Sequence, residues 1–120
     1  MTSKSLRAIP TENGLAQLGD ALLNFAFSMA LTEKNGQPTG TRVLDRTLAE
    51  AAVKAGLREN LPRRVKRGDV ANSLDALLGY VWFEKLITLD EIVTCLKAES
   101  LSTSMNFVHL ADLALARMKK

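Results

Sequence analysis

The sequence has few of the residues that mark disulfide-stapled or sheet-rich proteins. Its 120 residues include one cysteine, three prolines and only 5% aromatic residues. The single Cys95 cannot form an internal disulfide, and such sparse cysteine usage is typical of a reducing compartment. Most apolar positions are Leu, Ala or Val, which favours packed helices over a β-sheet.

Long hydrophobic runs are also scarce. The most apolar stretch, residues 14–31, is interrupted by Asp20 and Asn24. It therefore falls short of the roughly 18–20 uninterrupted apolar residues that cross a bilayer. The first ten residues do not contain the hydrophobic core of a signal peptide. We therefore expect a cytoplasmic protein with no membrane partner.

The remaining composition is that of an ordinary globular domain, with 47% hydrophobic and 24% charged residues. No repeat or second composition appears, and the connections between apolar-periodic segments are short. The sequence thus predicts one all-α domain, a helical bundle, over residues 1–120. Thr11 or Asn13 is expected to cap the first helix, and Thr88 with Glu91 to form a capping box before the fourth. The five helices are predicted at about residues 11–33, 44–55, 69–85, 88–97 and 103–118, with one further turn at 57–61.

Asp20 is the most unusual residue of the first predicted helix, because apolar side chains surround it on nearly every side. A helix that is apolar all round normally lies at the centre of a bundle. A carboxylate there must be paired, bind a metal or be neutralised, because desolvating it alone is costly. The pattern predicts either a metal-binding or catalytic acid, or a structural acid paired with an arginine. The candidate arginines are Arg42, Arg46 and Arg67.

A second acidic element lies on the third predicted helix. At about 100° per residue, Asp69, Asn72 and Asp75 fall within an arc of about 120°. If this helix crosses the first near Asp20, carboxylate and amide oxygens converge into a site suited to Mg²⁺ or Mn²⁺. The competing interpretation is a solvated acidic surface. The stripe expected to face the core is Val70, Leu74, Leu77, Leu78 and Val81.

Positive charge is concentrated between the second and third predicted helices. The net charge is +3 and the pI is near 9.2. A basic segment of this density can neutralise phosphates of a nucleic acid, although an ordinary solvated loop is the alternative. We refer to its members as the basic loop: Arg58, Arg63, Arg64, Lys66 and Arg67.

Three segments together resemble the endonuclease domain of the ribonuclease III family. Residues 18–23, Leu-Gly-Asp-Ala-Leu-Leu, resemble its first acidic signature, E-x-L-G-D-x-V-L. Residues 71–80, Ala-Asn-Ser-Leu-Asp-Ala-Leu-Leu-Gly-Tyr, resemble the second, A-D-x-x-E-A-L-I-G-A, and residues 46–61 resemble the intervening helix. The segments follow the family's order and spacing over about residues 14–97. In its short form the chain resembles the archaeal and mini ribonuclease III proteins without a double-stranded-RNA-binding domain.

The resemblance implies a metal-dependent endoribonuclease that cuts double-stranded or structured RNA in RNA processing. It implies Asp20 and Asp75 as catalytic metal ligands for Mg²⁺ or Mn²⁺, with Asn72 as a further ligand. Asp69 and Asn24 are expected to support these ligands. The family acts as a homodimer, and without a separate RNA-binding domain the basic loop is expected to contact the duplex.

Two departures from the family pattern leave an alternative open. The acid expected four residues before Asp20 is replaced by Ala16, and the acid expected three residues before Asp75 is replaced by Asn72. A catalytically inactive dimer that binds RNA or associates with the ribosome is the competing function. Another helical phosphohydrolase is disfavoured because such enzymes usually carry paired Glu-x-x-Glu motifs. Phe25, Trp82 and Phe83 are expected in the core or at a subunit interface.

Overall fold

The computed structural model describes residues 8–9, 12–99 and 102–119, and within them it contains five α-helices and a 3₁₀ turn at Leu57–Asn60. No strand occurs within these residues. The predicted all-α fold is therefore confirmed, whereas a single domain over residues 1–120 stays a prediction. The helices are α1 (Asn13–Asn35), α2 (Asp45–Lys54), α3 (Arg67–Phe83), α4 (Leu89–Leu96) and α5 (Thr103–Met118).

The helix ends follow local backbone chemistry. The capping box at the start of α4 is confirmed, since the Glu91 N–H donates to the Thr88 hydroxyl and the Thr88 N–H to the Glu91 carboxylate. The predicted cap of α1 is wrong for Asn13, which is the first helical residue after Glu12, and Thr11 lies outside the described residues. α3 ends two residues early because Lys85 adopts a left-handed φ of 62°.

The central helix of the bundle is α3, and the prediction that α1 is central is wrong. α3 contacts α1, α2 and α5, and 11 of its 17 residues are buried. The whole predicted stripe from Val70 to Val81 is among them. Only four residues of α1 are buried, and three of these are glycine or alanine. Phe25 of α1 is 56% exposed, so it lies outside the packing face of this helix.

α1 is long and apolar enough, by length and composition, to be a candidate membrane span. That finding differs from the sequence interpretation, in which Asp20 and Asn24 interrupted the apolar run. A core helix of a soluble protein passes the same test. In this structure α1 packs against α3 and α4.

Two glycines set the separation of α1 and α3. A Cβ atom added at Gly19 would overlap the carbonyl oxygen of Asp75, and one added at Gly79 would overlap the carbonyl oxygen of Leu15. The two helix backbones therefore touch at two places, each of which requires a residue without a side chain. Because Gly19 immediately precedes Asp20, this contact brings the two acidic segments together.

An extended segment, residues 39–43, is fastened along α1, and we refer to it as the strap. Asn24, Ser28 and Thr32 lie at four-residue intervals on α1 and accept hydrogen bonds from the N–H groups of Val43, Thr41 and Thr39. Four helical residues rise about 6.0 Å and two extended residues about 6.6 Å, so the two repeats nearly match. The Ser28 and Thr32 hydroxyls also donate back to the Thr41 and Thr39 carbonyls.

We expect Gly19→Ala and Gly79→Ala each to lower the free energy of unfolding by about 3 kcal/mol or more, because the added methyl group meets backbone that cannot rotate away. Chemical denaturation measures this loss. Gly14→Ala and Gly68→Ala are matched controls on the same helices, since their added Cβ atoms meet none of the described atoms within 4 Å. These controls should leave stability unchanged or raise it by up to about 1 kcal/mol. If the controls lost as much stability as Gly19→Ala and Gly79→Ala, close contact between the helix backbones would not explain the loss.

Candidate active site

The two acidic segments meet at a polar cavity of about 270 Å³ between α1, α3 and the start of α2. Asp20 reaches it from α1, and Asn72 and Asp75 reach it from α3. The structure thus brings together three of the residues that the sequence proposed for a metal site. Ala16 and Asn72, the two positions at which the family acids are replaced, both line the same cavity. Its complete lining is Asn13, Ala16, Gln17, Asp20, Asp45, Asn72 and Asp75.

Asp75 is the buried acid of the site, with 3% of its surface exposed. Its Oδ1 atom has no hydrogen-bond partner among the described residues. The pKa of Asp75 is raised from 3.8 to about 7, chiefly by burial and in addition by the nearby charges of Asp20 and Asp45. The positive charge of Arg42 lowers this pKa. The site therefore holds a carboxyl group that ionises readily only when a cation or another positive charge compensates it.

Asp20 is less buried than the sequence indicated, since 49% of its side chain is exposed. The prediction of a desolvated acid is wrong at this position, because α1 lies at the edge of the bundle and about half of the Asp20 side chain reaches solvent. Arg42 forms an ion pair with it, with Nη2 3.6 Å from Oδ2. This pair was one of the structural alternatives expected for Asp20, and it coexists with the acidic cavity.

Asn24 connects Asp20 to the strap. Its side-chain amide donates to the Asp20 carbonyl oxygen at 2.9 Å and to Oδ1 at 3.1 Å, while its own oxygen accepts the Val43 N–H at 2.7 Å. One side chain thus orients the Asp20 carboxylate and holds the strap that carries Arg42. This geometry suits the supporting role that the sequence suggested for Asn24.

Asp69 lies away from this group. It is exposed, and its carboxylate accepts the Lys66 N–H at 3.2 Å, which caps the start of α3. Asp69 does not line the cavity, and it stands about 9 Å along the helix axis from Asp75, six residues on. Its spacing from Asn72 and Asp75 therefore reflects helix capping, and the structure gives it no contact with Asp20 or Asp75.

Sequence reasoning missed the contribution of Asp45 to the site. Asp45 opens α2 and lines the cavity, and its negative charge acts on Asp75. Acids are common in the first turn of a helix because they offset its dipole. The position of Asp45 in the sequence therefore indicated only a favourable helix start. Arg42 was expected as a partner for Asp20 but not as part of a metal site.

The basic loop leads directly into α3. Arg63, Arg64, Lys66 and Arg67 are exposed. Arg58 is half-buried and donates to the carbonyl oxygens of Pro62 and Arg63 at 2.9 and 2.6 Å, so it shapes the loop. Arg67 stands five residues before Asn72, about 7.5 Å along the helix axis. Five residues also turn a helix by about 140°, so Arg67 faces a different side of α3 from Asn72 and lines, with Arg58, a separate depression.

The profile of the ribonuclease III family matches residues 13–118 of the 120-residue chain. The chain belongs to the ribonuclease III family. No curated protein matches its sequence. Membership of the ribonuclease III family supports an endoribonuclease function and RNA binding, and enzymes of this family generally depend on a divalent metal.

The donors of this ribonuclease III domain fit such a metal by their chemistry. Within the described residues no group of three or more His, Cys, Asp or Glu side chains is close enough to hold one metal ion. Mg²⁺, however, usually keeps several waters and takes only one or two carboxylates together with substrate phosphates. Asp20 and Asp75 supply two carboxylates, Asn72 an amide oxygen, and the unpartnered Oδ1 of Asp75 an oxygen in need of a cation.

The raised pKa of Asp75 predicts a pH-dependent stability in metal-free buffer. The unfolded state loses the proton near pH 4, whereas the folded state keeps it until about pH 7. The free energy of unfolding should therefore fall as pH rises from 4 to 7, by on the order of 4 kcal/mol at most. Urea unfolding at several pH values with a chelator present measures this decline.

Asp75→Asn should remove this contribution, because the amide cannot ionise. The exposed Asp112→Asn on α5 is the control and should keep the parent's decline. If the Asp75→Asn protein lost stability with pH as steeply as the parent, the decline would belong to other groups.

Proposed function

We propose that this ribonuclease III domain is a metal-dependent endoribonuclease, using Mg²⁺ or Mn²⁺, that hydrolyses phosphodiesters of double-stranded or structured RNA. RNA processing in the cytoplasm is the proposed setting. One observation supports the proposal most: the family's two acidic signatures, far apart in sequence, line one polar cavity through Asp20, Asn72 and Asp75. A solvated acidic surface would not bury Asp75 or leave its Oδ1 without a partner.

The proposed ligands are Asp20 and Asp75, with the amide oxygen of Asn72 as a third. A divalent cation bound there would supply the activated water and the charge stabilisation that phosphodiester hydrolysis needs. Asn24 keeps the Asp20 carboxylate turned towards the cavity by donating to its Oδ1. Burial of Asp75 between two touching helices fixes the position of its carboxyl group, because backbone contacts at Gly19 leave little room for movement.

RNA would be held by its phosphates. The exposed members of the basic loop can neutralise the backbone charge of a bound duplex, and double-stranded RNA is recognised chiefly by shape and phosphate contacts. We also propose a homodimer. Trp82 and Phe83 are exposed, so of their two expected positions, the core or a subunit interface, only the interface fits. They line an apolar depression next to α4, and Phe83 lines a second one with Leu15 and Leu18, a pattern typical of subunit interfaces.

A catalytically inactive RNA-binding or ribosome-associated dimer is the second candidate function. It is favoured by the composition of the cavity, where Ala16 offers no ligand and Asn72 carries no charge. The ion pair of Arg42 with Asp20 also gives this acid a partner without a metal. The two functions share the same RNA-binding surface and differ in hydrolysis alone.

Cleavage of long double-stranded RNA with Mg²⁺ or Mn²⁺ distinguishes the two. We expect the parent to cleave and Asp20→Asn to lose at least about 100-fold in rate, since even residues that only orient metal ligands contribute about 10–100-fold. The asparagine keeps an oxygen for Asn24, so the fold should be retained. Asn72→Asp, which restores a family acid, should increase the rate, and Asp112→Asn should leave it unchanged. Gel analysis of the RNA products measures each rate.

Equal cleavage by the parent and Asp20→Asn would contradict the role of Asp20. If the parent and Asn72→Asp both left the RNA intact with either metal, the scaffold function would replace the enzymatic one.

The role of the basic loop predicts a strong dependence of RNA affinity on salt. Arg64→Gln should weaken binding and reduce the slope of log affinity against log salt by about one for each phosphate that the variant no longer neutralises. Lys34→Gln removes an equal charge from the last turn of α1 and should leave the slope unchanged. Filter binding at several salt concentrations measures the slopes. Identical slopes for all three proteins would exclude Arg64 from the RNA interface.

A further inference from the structure

We propose that Arg42 is a built-in counter-ion of the acidic cavity, which competes with the divalent metal for Asp20 and so sets the metal affinity. This inference rests on the proposed metal site. The guanidinium stands 3.6 Å from Oδ2 of Asp20, while Oδ1 of the same carboxylate is held by Asn24. Arg42 therefore pairs with the carboxylate oxygen that Asn24 leaves available to a metal.

The backbone around Arg42 is fixed although its side chain is exposed. Thr41 donates its N–H to Ser28 and Val43 donates its N–H to Asn24, so both neighbours of Arg42 are hydrogen-bonded to α1. The Arg42 side chain itself is 77% exposed. The strap thus keeps the guanidinium within reach of Asp20 without burying it, and the side chain can leave the carboxylate without any change in the fold.

The charges of the cavity account for the presence of such a residue. Asp20 and Asp45 both act unfavourably on ionised Asp75, and the positive charge of Arg42 opposes them. In the absence of metal, Arg42 reduces the repulsion among these acids. An exposed ion pair is weak, so a divalent cation at the same carboxylate can displace it. Arg42 would therefore stabilise the metal-free site and lower its affinity for metal.

Binding of Mn²⁺ alone, followed by the electron paramagnetic resonance signal of the free ion, tests the competition without RNA or catalysis. We expect Arg42→Gln to lower the dissociation constant about two- to fivefold, the range given by the strength of exposed ion pairs. Arg42→Lys, which keeps the charge, should restore most of the parent's value. Thermal unfolding should show Arg42→Gln to be less stable than the parent without Mn²⁺ and to recover when Mn²⁺ is added.

Lys34→Gln is the matched control for charge. Lys34 is exposed and stands 14 residues beyond Asp20 on α1, about 21 Å along the axis. That distance exceeds the screening length of about 8 Å at physiological salt, so its removal should not change Mn²⁺ affinity.

The outcomes separate this inference from the proposed function. An Arg42→Gln protein that binds Mn²⁺ no more tightly than a binding-competent parent would overturn the competition alone. A decrease in affinity would do the same and would make Arg42 a residue that assists metal binding. Failure of the parent and Arg42→Gln to bind Mn²⁺ at all would overturn both the competition and the metal-dependent function.

Discussion

The direct contact between the backbones of α1 and α3 is the constraint on which the site depends. At Gly19 and Gly79 each helix meets a carbonyl group of the other with no side chain between them. The separation of packed helices depends on the side chains at their contact, and two glycines here let the backbones meet directly. Here the close contact occurs beside Asp20 and at Asp75 itself. The geometry of the acidic site is thus a consequence of helix packing.

That packing creates an electrostatic problem which the surrounding residues reduce. Asp75 is buried near two other acids, and its raised pKa keeps the carboxyl group uncharged up to about neutral pH. Asn24 donates a hydrogen bond to one oxygen of Asp20, and the positive charge of Arg42 lies beside the other oxygen. Folding therefore favours the uncharged form of Asp75, whereas metal binding needs the ionised form. Functional sites often contain such groups, whose environment is unfavourable for stability and useful for binding.

The helices could be predicted because apolar periodicity is a local property of the sequence, and the meeting of the acidic segments was expected from the resemblance to the ribonuclease III family. The placement of α1 could not. Its continuous apolar character indicated a central helix, but only Gly19, Leu23, Ala26 and Ala30 are buried, and most of its other large apolar side chains are buried only in part. The sequence also could not tell Asp69 from Asp45, because both are acids near the start of a helix. Only the tertiary fold decides that Asp45 reaches the cavity and that Asp69 caps α3.

The strap imposes a condition on the length of the chain. Its hydrogen bonds to Asn24, Ser28 and Thr32 use every second residue, so removing or adding one residue between Thr39 and Val43 would exchange the bonded and unbonded positions. Arg42 would then point away from Asp20. A change of length within the strap would therefore break this pattern, whereas the turn after Gly36 lies before the first of these hydrogen bonds. The register of this segment against α1 is therefore as restricted as the register of a β-strand against its neighbour.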